Sequence, residues 1–176
     1  MHDESPFSEF GPWFGKAAVD RFERDVFQAN RVDLITVLLG INDIFHPLVG
    51  HAPQEETVTA EQLQNGLKCL IGKAHENETK IIGCTITAWK NCMGLFAEKP
   101  EKVRTEVNDW IRHSGQYDFV LDYDQMIADP EDPERMLPSC DSGDNVHPGP
   151  GGGLKIAESI DLCHIGKMLG LEGEDQ

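Results

Sequence analysis

Leu34-Ile35-Thr36-Val37-Leu38-Leu39-Gly40-Ile41-Asn42-Asp43 is the stretch on which the fold turns. Its apolar run shows no polar alternation, which predicts a strand over 33–39 buried on both faces, as parallel sheets require. Lys80 to Ile86 repeats the pattern as a second strand, and Phe119-Val120-Leu121, within 118–122, makes a short third. Helical spacing fills the intervals. Before the first strand, Ala18, Val19, Phe22, Val26 and Phe27 mark a helix over 16–29. Thr59, with Gln62 three residues on, forms a capping box. The helix behind it runs to about His75 and buries Leu63, Leu67, Leu70 and Ile71. Glu101 to His113 is a further helix with Val103, Val107, Trp110 and Ile111 on one face, stopped by Gly115.

Residues 1–14 read as loop, broken by Pro6, Gly11 and Pro12. So do 44–58, with Pro47, Gly50 and Pro53, and 128–150, rich in Pro, Asp and Gly. A last helix is expected over 153–169 and a frayed tail over 171–176. Strand and helix alternate three times along the chain. That alternation predicts a single α/β domain over 1–176, with three parallel strands between helical layers. The strands are expected in sequential order, with 80–86 central.

The 176 residues carry a formal net charge of −16. Such a surface repels phosphate backbones and anionic membranes, so neither nucleic acid nor membrane is an expected partner. No apolar run approaches the ~20 residues needed to span a bilayer. Met1-His2-Asp3-Glu4-Ser5-Pro6 lacks a basic segment followed by an apolar one, so no signal peptide is expected and a cytoplasmic location is. Cys69, Cys84, Cys92, Cys140 and Cys163 are an odd set without a CxxC pair, read as free thiols. Cys69 and Cys84 lie in apolar patterns and are expected in the core.

The chemistry concentrates in two places. Asp144 stands three residues before His147, a spacing that lets its carboxylate hold one ring nitrogen and leave the other to take a proton. A polar turn leading into a helix would look the same. Asn42, expected at the carboxyl end of the first strand, has an amide able to donate to a developing oxyanion; an Asn capping a turn is the plainer alternative. Asp43 fits an N-cap or loop clamp. Gly40, Asp43 and His46 are candidates to line the same cleft. His46, Asp144 and His147 do not amount to a metal site without further ligands, and no metal or organic cofactor is implied.

Taken together, "VLLGINDI" at 37–44 and "SGDNVHPGPGG" at 142–152 make the chain resemble the SGNH hydrolases, also called GDSL-type esterases. "RFERDV" at 21–26, "IIGCTIT" at 81–87 and "VNDWIR" at 107–112 add to the likeness. The resemblance implies a flavodoxin-like α/β/α fold and ester hydrolysis, with a small ester or an acylated carbohydrate as substrate. By it, His147 is the catalytic base, Asp144 its orienting acid and Asn42 an oxyanion donor, all at the carboxyl edge of the sheet. The family's GDS block with its nucleophilic serine, and the second block with an oxyanion glycine, have no counterpart here. Ser5, Ser8, Ser114, Ser139, Ser142 and Ser159 occupy no strand-to-helix turn. No nucleophile is identified, and the fold is expected to be N-terminally incomplete and inactive. Two alternatives stay open: an active esterase with an unrecognised or externally supplied nucleophile, and a non-catalytic binding module. With the family's preceding strands lacking, strand 33–39 would present an open edge, to be covered by residues 1–14, paired with a second copy, or left prone to aggregation.

Overall fold

The structure is a computed structural model, and it describes residues 15–29 and 31–171. The elements run α1 (Ala18–Phe27), β1 (Leu34–Val37), α2 (Ile41–Val49), α3 (Ala60–Glu76), β2 (Lys80–Cys84), α4 (Glu98–His113), β3 (Phe119–Leu121), α5 (Tyr123–Ile127), β4 (Ala128–Asp129), β5 (Asp132–Met136), α6 (Pro150–Ser159) and α7 (Leu162–Met168). The sheet holds β1, β2 and β3 in that order, so the 80–86 strand is central as expected. β1 and β2 are parallel, with Leu34 opposite Lys80 and Val37 opposite Gly83. The loop-like reading of residues 1–14, and their proposed cover of the β1 edge, lie outside the described residues.

The chain forms two compact units, Met1–Ile86 with Ala97–Val120, and Thr87–Phe96 with Leu121–Gln176. In the first, Leu63, Leu67, Leu70 and Ile71 of α3 pack with Val107 and Ile111 of α4 around Ile81 and Val37. The Thr59–Gln62 capping box closes reciprocally, at 2.8 and 3.2 Å. Past β2, the backbone of Ile86 finds its partners on α4. Its amide donates to Asn108 Oδ1 at 2.7 Å, and its carbonyl accepts from Asn108 Nδ2 and Arg104 Nη1, each at 2.8 Å. Arg104 also meets Glu101, with both side chains buried, so the charges compensate each other out of water. These three polar residues occupy α4 beside its apolar stripe.

The second unit has a smaller cluster of Ile127, Met136 and Cys140, with Ile156 packed on it. Lys90 joins its 87–96 segment to β5: the backbone amide donates to the Glu134 carbonyl at 3.1 Å, and Nζ meets Asp132 and Glu134 at 3.0 and 2.8 Å.

Several expectations need correction. β1 is not buried on both faces: Thr36 is exposed and Leu38 is 47% exposed beyond it. Among the described residues it lies at the edge of its sheet. The segment 44–58 is not all loop, because α2 takes its first half. Burial of Ile44 and Phe45 outweighs the cost of Pro47, and Gly50 in the left-handed region closes the helix onto the His46 carbonyl. The segment 128–150 begins with the antiparallel β4–β5 pair, whose turn is held by Glu131 N–H donating to Asp129 at 3.0 Å. The last helix is two: the chain extends at Ile160, and Asp161 caps α7 through the His164 amide at 2.9 Å. All five cysteines are free, but Cys69 is exposed while Cys84 is buried. Cys69 falls off the buried face that Leu63, Leu67 and Leu70 define.

Candidate active site

Around Asp144 and His147 the backbone is closed into a loop. Asp141 and Pro148 form an antiparallel bridge, Ser142 N–H donates to the His147 carbonyl at 3.0 Å, and Gly149 N–H to the Cys140 carbonyl at 2.7 Å. Two aspartates organise the interior. Asp141 Oδ1 accepts from the amides of Gly143 and Asn145, each at 3.0 Å. Asp144 Oδ1 accepts from Val146 and His147, at 3.0 and 2.9 Å. Asn145 sits at φ 64°, a conformation that Asn tolerates better than most side chains. Gly149, Gly151 and Gly152 after Pro148 are required by close approach. A Cβ on Gly151 would collide with the Ser139 carbonyl oxygen, and one on Gly152 with that of Cys140. α6 therefore begins directly under the loop, with Pro150 in its first turn.

This arrangement leaves Asp144 Oδ2 for the imidazole: it lies 2.6 Å from His147 Nδ1. Partial burial pushes the Asp144 carboxyl up. Hydrogen bonds from the His147 amide and ring, the Val146 amide and the Ser142 side chain outweigh it and hold the carboxyl well below the usual range. An ionised carboxylate only accepts, so Nδ1 carries a proton, and in the neutral ring Nε2 is then the acceptor. The ring is 73% exposed, and Nε2 is on the side away from Asp144. Such a histidine can take a proton from a hydroxyl brought to Nε2.

The other candidates stand together in the first unit. Gly40 adopts φ 122°, open to glycine alone, and turns the chain from β1 straight into α2. Asn42 is thus in the first turn of the helix that follows the carboxyl end of β1. Asp43 and His46 are buried within the same helix, so Asp43 is not its N-cap, which is Gly40. The His46 ring meets His51 edge-on at 5.6 Å. Gly40, Asn42, Asp43 and His46 fall in one unit, Asp144 and His147 in the other. Among the described residues no three His, Cys, Asp or Glu side chains gather as a metal site would require. Two contributions escaped the sequence reading, the Ser142 bond to Asp144 and the Asp141 scaffold; the only signal for either was the density of Asp, Ser and Gly around the histidine.

The profile of the GDSL-like lipase/acylhydrolase family matches residues 13–153. The chain belongs to that family. Among curated proteins none matches it. Among solved structures, a GDSL-like lipase from Bacteroides thetaiotaomicron is 20% identical with a TM-score of 0.60, over 85% of this chain and 69% of that one. A mutant of an acetyl-xylooligosaccharide esterase from Geobacillus stearothermophilus is 18% identical with a TM-score of 0.60, over 90% and 68%. An α/β hydrolase from the metagenome of Lake Arreo, Spain, is 17% identical, again at 0.60, over 89% and 68%. At these identities the likeness is one of fold. The mixed α/β architecture is that of the family.

Proposed function

We propose that this chain is a GDSL-type carboxylic ester hydrolase domain that carries the base, acid and oxyanion asparagine but supplies no nucleophile of its own. The carrying observation is the 2.6 Å Asp144–His147 contact, with Nδ1 engaged and Nε2 left to accept. In the complete reaction, a serine hydroxyl gives its proton to His147 Nε2 as its oxygen attacks the ester carbonyl. The imidazolium is stabilised by Asp144 and returns the proton to the leaving alcohol. Asn42 donates to the tetrahedral oxyanion. A small ester or an acylated carbohydrate is the proposed substrate, in keeping with the acetyl-xylooligosaccharide esterase among the structural relatives.

Ser142, Ser159 and Cys92, of the same unit as the histidine, support catalytic incompleteness. Ser142 spends its side chain on Asp144, away from Nε2. Ser159 donates to the Ile156 carbonyl at 2.6 Å. The Cys92 thiol is held up, first by burial and then by Asp144 and Asp141, which favours its protonated form. Turnover of p-nitrophenyl acetate and butyrate checks this reading. The expected rate equals that of His147→Ala; a rate that falls on one Ser→Ala or Cys→Ala change would contradict it and identify the nucleophile.

A further inference from the structure

The first unit contains a cavity of about 320 Å³ bounded by α2, the start of α3 and the start of α4. Its wall is apolar, from Ile44, Val58, Ala60, Pro100 and Val103. Each hydroxyl that borders it makes one hydrogen bond within the chain. Thr57 donates to the Gln54 carbonyl at 2.7 Å, and Thr59 accepts from the Gln62 amide. Charge enters only at the rim, from Lys99, Lys102 and Glu106. Lys102 leans on Glu106 at 3.7 Å. Lys99 is exposed and makes no ion pair among the described residues. On a chain of net charge −16, this is a place where cations outnumber carboxylates beside an apolar recess.

An apolar recess takes hydrocarbon, and a lysine at its mouth takes an anion. The size lies at the low end of small-molecule sites, which run from ~300 Å³ upward. We propose that this cavity binds a linear aliphatic carboxylate of medium length, with the chain against Ala60 and Val103 and the carboxylate at Lys99. The proposal concerns binding alone and stands apart from the hydrolytic chemistry.

The test is an NMR titration of the full chain with butyrate, hexanoate, octanoate and octanol. Octanoate is expected to give saturable shifts at the amides of Ala60 and Val103. Affinity should rise about three- to fourfold per added methylene, the increment for burying one CH₂ group. Octanol should bind several-fold more weakly than octanoate. Lys99→Gln should reduce octanoate to the octanol level and leave octanol unchanged. Val103→Phe should abolish both by filling the space. Ala60→Leu serves as the second filling variant if the first loses its native spectrum. Absence of saturable shifts at these residues, or affinity indifferent to chain length, would overturn the site. Equal binding of octanol and octanoate would overturn the assignment of a carboxylate.

Discussion

His147 gives one ring nitrogen to its own loop and keeps the other clear of it. That division depends on Asp144, which satisfies two amides with one oxygen and the imidazole with the other. Asp144→Asn keeps an acceptor for the amides but can turn an NH₂ toward Nδ1, which then has to accept. The expected result is a switch of His147 from the Nδ1–H to the Nε2–H tautomer, read from the nitrogen-15 shifts of the ring. A wild-type ring already protonated at Nε2 would contradict the geometry. The pairing of Asp144 with His147 was legible because a separation of three residues suffices within one tight loop. The setting of Asn42 was not. It depends on Gly40 turning at φ 122°, which brings helix where a loop was expected. The Ser142 contact was equally hidden, since nothing in its spacing distinguishes a hydroxyl that serves the acid from one that serves the base.

At the scale of elements, apolar periodicity located all three strands of the main sheet and the helices α1, α3 and α4, because each buries one stripe or face. It failed where non-local polar contacts decide. β5 carries Asp132 and Glu134, which look like loop residues until Lys90 from a distant segment neutralises them. On α4 the apolar stripe drew attention away from Glu101, Arg104 and Asn108, all buried. Asn108 is the sharper test of what that helix does. Asn108→Leu would leave the Ile86 amide buried without an acceptor, at a cost of about 1–3 kcal/mol. Urea unfolding of the variant should show that loss; unchanged stability would mean that the clamp on Ile86 is dispensable.

For the whole molecule, two features oppose each other. β1 is bonded to β2 along one side, and among the described residues no strand covers its other side, next to an exposed Leu38. An open apolar edge is a template for a second chain, whereas a net charge of −16 repels one. Salt screens the repulsion and leaves the edge unchanged. Sedimentation equilibrium should therefore show association that rises with concentration and salt and is weakened by Leu38→Lys. A monomer under all conditions would remove the edge from consideration. The central claim, a hydrolase domain with a poised base and no nucleophile of its own, is tested most directly by incubating the chain with a fluorophosphonate and weighing it intact. The chain should keep its unmodified mass. A stoichiometric serine adduct, lost in His147→Ala, would contradict the claim and make the chain a complete esterase.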